Sequence, residues 1–285
     1  MKVYILNSFA KTINGGNPAG VVLDADCLTD NDMLNISKKV GFSETAFIQK
    51  SEKADFKVRF FTPVSEVDLC GHATIATFSL LKDLDVIKEG KYSQETKAGV
   101  LNIDINDSGI VFMNQNLPKF YDIIDKEQIL DCLNIKEEHL VSKIPIQVVS
   151  TGLRDIIVSV KTIESLFSVM PDFEKIKHLS KKYDVIGIHA FTLETKFNST
   201  AHCRNFAPLY DVPEESATGT SNGALACYMF KYFKEKISNT QEMRFEQGYI
   251  MDRPSEVLVW LSTKNNDIAE VRVGGIAIRT DDINV

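Results

Sequence analysis

Cysteine is sparse and scattered in this chain. The five residues, Cys27, Cys70, Cys132, Cys203 and Cys227, are odd in number and never spaced as C-x-x-C. That argues against a disulfide framework or a zinc ribbon and predicts reduced thiols in a cytoplasmic protein. The five histidines show no H-E-x-x-H or comparable ligand spacing, so no metal is expected. Long apolar runs are also lacking, since no stretch approaches the ~18 consecutive apolar residues of a membrane helix. The opening "MKVYILNSFA" has too short an apolar core for a signal peptide and reads as a first strand. Basic charge is in deficit, 32 Lys and Arg against 39 Asp and Glu, a net −7. With no basic stripe, nucleic acid and anionic membrane are excluded as expected partners. No G-x-G-x-x-G follows a strand and no G-x-x-x-x-G-K-[ST] occurs, so no nucleotide cofactor is expected.

What the chain does have is a loose internal repeat. "RFFTP" (59–63) and "RNFAP" (204–208) share R-x-F-x-P. After a loop, each is followed by a Gly-led run without a formal charge, "GHATIATFSLL" (71–81) and "GTSNGALACYMF" (219–230). About 30 residues before each Arg stands a polar-started helical pattern, "TDNDMLNISKKV" and "PDFEKIKHLSKKY". The common order predicts two homologous domains, 1–118 and 119–285, divided near the breaker "NLPKF". The final strand is free to return to the first domain.

Period-2 or β-branched runs predict strands at 2–6, 20–23, 45–49, 56–61, 100–105 and 109–113. In the second half they fall at 146–150, 155–160, 185–193, 200–206, 243–247, 255–261 and 269–279. A surface helix carries a polar face, so two uncharged runs mean helices buried on all sides, near 71–84 and 219–233. The expected fold class is therefore α+β, with a curved sheet or barrel wrapped around a central buried helix in each domain.

A buried helix begins with backbone N–H groups that lack intrahelical acceptors, and its dipole adds partial positive charge there. Small residues at both starts, Gly71, Ala73 and Thr74 in one, Thr218, Gly219, Thr220 and Ser221 in the other, admit a ligand close to the backbone. Such ends bind carboxylate or phosphate without Lys or Arg, although Gly and Thr also serve simply as caps. Facing across a domain cleft, the two starts would grip a small anionic molecule.

The stretches "SFAKTINGGNPAGVVL", "GFSETAFI", "VRFFTPVSEVDLCGHATIAT" and "RNFAPLYDVPEESATGTSNGALA" resemble the phenazine-biosynthesis PhzF-like isomerase family. Weaker echoes follow in "STGLRDIIV", "EQGYIMDRPSEV" and "VRVGGIAI", so the resemblance spans nearly the whole chain in order. It implies the fold of diaminopimelate epimerase and proline racemase, a homodimer, and an isomerase that needs no cofactor. It also implies a small carboxylate-bearing metabolite as substrate.

By this resemblance Glu44 of the S-E-T motif is the acid/base. Enclosed between domains it would lose solvation, take a proton from one carbon and deliver it to another on the same face. Asn17 falls in the family's G-N-P turn, which is also an ordinary Gly-rich turn. His72 stands where the family contacts substrate, or caps its helix through the backbone. Glu215 replaces the Asp of a family E-D-P-A-T-G motif, and Ser216 replaces its Pro, so the departures concern pocket geometry. Two-thiol racemisation, known on this fold, would pair Cys70 with position 218, and Thr218 is too weak an acid for that. Two alternatives stand beside the isomerase: a one-thiol epimerase-like enzyme using Cys70, and a non-catalytic metabolite-binding protein.

Overall fold

The computed structural model describes residues 1–234 and 242–285. The chain forms two compact units, Met1–Asn114 with Gly274–Val285, and Gln115–Val273.

In the first unit the strands are β1 (Lys2–Ser8), β2 (Asn17–Val22), β3 (Thr45–Gln49), β4 (Phe56–Phe61), β5 (Glu66–Val67), β6 (Gly90–Thr96), β7 (Gly99–Ile105), β8 (Val111–Gln115) and β18 (Ala277–Asn284). β1 lies antiparallel between β18 and β2, and β2 runs parallel to β3. β3 is antiparallel to β4, which pairs antiparallel with the short β5 and parallel with β6. β6, β7 and β8 then follow as an antiparallel meander.

The second unit repeats this path with β9 (Lys119–Ile123), β10 (Gln147–Ser150), β11 (Arg154–Ser159), β12 (Gly187–Thr192), β13 (Ala201–Ala207), β14 (Val212–Glu215), β15 (Glu242–Gln247), β16 (Ser255–Lys264) and β17 (Asp267–Gly275). β9, β10 and β11 are successively antiparallel, and β11 is parallel to β12. β12 is antiparallel to β13, which takes the short β14 antiparallel and β15 parallel, and β16 is antiparallel to β15. The order of parallel and antiparallel steps is the same in both, which makes the duplication structural.

Each unit holds one helix inside its sheet. α2 (Gly71–Asp83) packs on β1, β2, β3 and β18, and every residue from His72 to Leu81 is buried. α6 (Gly219–Tyr232) packs on β10, β11 and β16, with Ser221 to Met229 buried. The uncharged runs are thus central helices, because a helix enclosed by a sheet has no face on which to solvate a charge.

The polar-started patterns are the outer helices α1 (Asp30–Val40) and α5 (Phe173–Tyr183). They bury matching i, i+3, i+4 triplets, Met33, Ile36, Ser37 and Ile176, Leu179, Ser180. Thr29 and Asp32 form a reciprocal capping box on α1, and Asp172 accepts from the Lys175 amide on α5. Left-handed residues stop both, Gly41 and Asp184. Short α3 (Lys126–Leu133) and α4 (Ile163–Phe167) add to the second core.

The strand expectations needed corrections. β5, β6, β9 and β14 were not anticipated, because "EV", "GKYSQET", "KFYDI" and "VPEE" alternate too weakly or are too short to show a period. They are held by cross-strand bonding. The single strand expected over 269–279 is two, β17 and β18. The shared R-x-F-x-P motif has a structural reason. Arg59 on β4 forks onto Glu66 on β5, at 2.7 and 2.9 Å. Arg204 on β13 forks onto Glu214 on β14, at 2.9 and 2.8 Å. Each pair pins the strand that leads, five residues on, into the first Gly of a central helix.

Candidate active site

Four segments of the first unit converge on the start of α2. Gly16 is left-handed (φ +81), and a Cβ there would lie 2.6 Å from the Ser8 carbonyl, so only glycine makes the turn into β2. That turn sets buried Asn17 opposite Ser8 across the β1–β2 pair. Ser8 Oγ donates to the His72 carbonyl at 2.6 Å, tying the end of β1 to the helix start. Glu44 directly precedes β3, and its carbonyl accepts from the Gly20 amide at 3.3 Å. The backbone at Glu44 is thus held while its side chain remains 21% exposed.

Cys70 is the N-cap of α2, with no side-chain capping bond, and His72 is the second helical residue. Cys70 Sγ lies 3.4 Å from His72 Nδ1, and His72 Nε2 lies 3.4 Å from Glu44 Oε2. The imidazole therefore bridges a thiol and a carboxylate. His72 and Cys70 are each only 7% exposed, so the bridge stands at the edge of the core. Gly71 has open surroundings, its nearest prospective contact being Met113 Sδ at 3.6 Å. Ala73 and Thr74 are fully buried, and the Thr74 hydroxyl is engaged, donating to the Cys70 carbonyl and accepting from Gln94. Their contribution at the helix start is confined to the backbone.

The start of α6 in the second unit has different chemistry. Thr218, the N-cap, donates its hydroxyl to Glu215 at 2.5 Å. Gln247 accepts from the Thr218 amide and donates to the Glu215 carbonyl and the Thr218 hydroxyl. Asn222 donates to Gln247 and to the Thr218 carbonyl. Gly219 and Thr220 open the helix, and the Thr220 carbonyl accepts from Thr151. Ser221, only 1% exposed, turns inward and donates to Asp155 at 2.7 Å while accepting from Asn205.

Asp155, His189, Asn205, Ser221 and Asn222 make up a buried polar cluster beneath that helix start. Burial pushes the Asp155 carboxyl up to about 7, against the opposing hydrogen bonds of Ser221 and Asn205. Burial holds His189 down at about 4. Both groups therefore favour their neutral forms in the core. Of this cluster the sequence singled out Ser221, as part of the helix start, but not Asp155, His189, Asn205 or Asn222, nor Ser8 and Gln247 outside it. One signal was present, since "RNFAP" carries Asn where "RFFTP" carries Phe, and an amide on a core-facing strand position calls for buried partners.

Among the described residues, Glu44, Cys70 and His72 are the group whose ligand atoms stand close enough to hold a metal ion, all within 4.8 Å of one another. No helix among them is long and apolar enough to cross a membrane.

The chain matches known proteins over nearly its whole length. The profile of the family described as phenazine biosynthesis-like protein (PhzC-PhzF) matches residues 6–282. An uncharacterized isomerase of Clostridium acetobutylicum is 34% identical, over 97% of this chain and 95% of its own. A trans-2,3-dihydro-3-hydroxyanthranilate isomerase of Pseudomonas chlororaphis is 28% identical, over 95% and 94%. The crystal structure of a PhzF-family phenazine biosynthesis protein of Bacillus anthracis superposes with a TM-score of 0.93 at 32% identity, covering 100% of this chain and 98% of that one. A hydroxyproline epimerase of Agrobacterium vitis shares the fold, with a TM-score of 0.64 at 11% identity over 99% and 91%.

Proposed function

This chain belongs to the phenazine biosynthesis-like (PhzC-PhzF) family and is an isomerase of that family, and we propose that it moves a proton on a small carboxylate-bearing metabolite with Glu44 as the acid/base. The observation that carries the assignment is the position of Glu44. Its carboxylate stands at the start of α2, partly exposed, 3.4 Å from His72 Nε2. A group that must accept a proton from carbon and return it needs substrate access and a fixed direction. The β2–β3 backbone bond and His72 together supply the second, and the residual exposure supplies the first.

In this reading Glu44 takes a proton from one carbon of the substrate and delivers it to another on the same face. His72 is a positioning residue, orienting the carboxylate through Nε2 while Ser8 holds the backbone beneath it. Amides at the start of α2, beside Gly71, would receive the substrate's carboxylate, because unsatisfied N–H groups and the helix dipole favour an anion there. The start of α6 offers the same physics in its own unit, with Glu215 and Gln247 setting the Thr218 side chain. The Pseudomonas relative is named for a dihydro-hydroxyanthranilate, a carboxylate, which fits this substrate class.

The test is Glu44→Gln, which preserves size and hydrogen bonding and removes the ability to carry a proton. Probes are trans-2,3-dihydro-3-hydroxyanthranilate and a panel of small carboxylates in deuterated water. Turnover and solvent-deuterium incorporation should fall by at least ~10²-fold, the low end for losing a positioned acid/base, with affinity changed no more than a few fold. Binding with no exchange even in the unaltered protein would favour a binding protein instead.

One contact favours a second reading with Cys70 as the reacting group, namely its Sγ 3.4 Å from His72 Nδ1. A two-thiol mechanism lacks its partner, because Thr218 holds the matching position with its hydroxyl donated to Glu215. A one-thiol reaction predicts the reverse mutational pattern: exchange surviving Glu44→Gln and lost in Cys70→Ser.

A further inference from the structure

The start of α2 brings together three side chains of the kinds that ligate a borderline or thiophilic metal ion. Cys70 Sγ is 4.0 Å from His72 Nε2, and that nitrogen is 3.4 Å from Glu44 Oε2. Tetrahedral zinc with ordinary bond lengths needs sulfur and nitrogen about 3.6 Å apart, and nitrogen and oxygen about 3.4 Å apart. The nitrogen–oxygen edge is already in place, the sulfur–nitrogen edge is a few tenths of an ångström long, and the sulfur–oxygen edge lies within 4.8 Å, so closing the set requires Cys70 to turn toward Glu44.

We propose that Glu44, Cys70 and His72 form a three-ligand binding site for a zinc-class divalent cation, with the fourth position left open. Charge supports it: a thiolate and a carboxylate neutralise a 2+ ion, offsetting the unfavourable partial positive charge of the helix start. Donor type supports it as well, since a sulfur, nitrogen and oxygen set suits zinc or cobalt and gives no advantage to magnesium or calcium. The backbones that carry these side chains are already held in place. Ser8 secures the His72 backbone and the β2–β3 bond secures that of Glu44, so little reorganisation is required.

Metal binding here does not depend on the isomerase reading, but its consequence does. A Glu44 carboxylate bound to metal cannot accept a proton from carbon, so on that reading the occupied enzyme is inhibited, and chelation restores it. Neither the C-x-H spacing nor any local pattern shows this site, because Glu44 comes from 26 residues upstream.

Cobalt reports the ligands directly. Titration of the reduced protein with Co²⁺ should give one site per chain, with a thiolate-to-cobalt charge-transfer band that Zn²⁺ displaces. Cys70→Ser should abolish the band, whereas Cys27→Ser, which removes the exposed thiol, should leave it intact. Glu44→Gln, a change at a partly exposed side chain, should keep the band and weaken Co²⁺ by more than the roughly 10-fold seen for losing even an outer-shell partner. Absence of the band in the unaltered protein, or its survival in Cys70→Ser, overturns the site and leaves the isomerase assignment standing. Zn²⁺ that binds by displacing Co²⁺ yet leaves deuterium exchange intact would overturn the inhibition and count against Glu44 as the base.

Discussion

The two units share a frame and differ in what lies around the start of the central helix. In the first, the strand positions facing α2 are apolar: Ala46 pairs with Phe60 across β3 and β4, both fully buried. In the second, the matching pair across β12 and β13 is His189 and Asn205, also buried. Two residues into the helices, Ala73 in one matches Ser221 in the other, and Ser221 reaches Asp155. At the entrance the contrast reverses. The first unit gathers Glu44, His72 and Cys70 at the edge of its core, while Thr218 in the second is hydrogen-bonded to Glu215. Glu44 keeps a partly exposed carboxylate above an apolar core, the setting that the proposed proton transfer needs. Groups that only fix a shape can be buried and neutral. Duplication supplied the same scaffold twice, and the halves took up different polar groups.

Removing the carboxylate from each entrance in turn should affect the two units unequally. If proton transfer belongs to the first unit, Glu44→Gln removes at least ~10²-fold of turnover. Glu215→Gln, which weakens the bond from the Thr218 hydroxyl, should lower turnover by less than tenfold and act mainly on KM. Comparable losses in turnover from both would place chemistry in both units. Steady-state kinetics on one substrate separates the outcomes.

The strand-pinning arginines should respond unequally. Arg204 is more buried than Arg59, 6% against 16% side-chain exposure, and also donates to the Leu166 and Val169 carbonyls. Arg204→Leu strands a mostly buried Glu214 and two carbonyls, so urea denaturation should show a loss of about 3–5 kcal/mol. Arg59→Leu leaves Glu66 with Lys97 as a neighbour and should cost about 1–3 kcal/mol. Equal losses would mean that the two pairs have the same weight despite their burial.

A smaller effect distinguishes the buried cluster by its pH dependence. Asp155 titrates near 7 in the folded protein against an ordinary value of 3.8, so the native state holds the extra proton between those values. Stability contributed by this group is therefore full below about 4 and lost as pH rises through about 7. His189, held down at about 4, works in the opposite direction, contributing above about 6.5 and failing as pH falls through 4. Asp155→Asn removes only the first component. It should raise stability at pH 8 relative to pH 5 by about 1 kcal/mol or more compared with the unaltered protein, measured as Tm or urea midpoint at both values. A parallel pH profile in the two proteins would show that Asp155 is ionised in the fold.

The repeat, the α+β class and both central helices were legible in the chain, because each rests on a local pattern. An uncharged run calls for burial on all sides, which the many strands supply, and Met33, Ile36 and Ser37 recur as Ile176, Leu179 and Ser180. The sequence also singled out Glu44 and both helix starts, through the family motifs that the chain carries. Which side chains meet depends on the fold. Nothing local joins Glu44 to His72 and Cys70, or Asp155 to Ser221, 66 residues apart. Those contacts follow from strand register and from the parallel β2–β3 and β11–β12 steps, which depend on long-range pairing and leave no periodic trace in the chain.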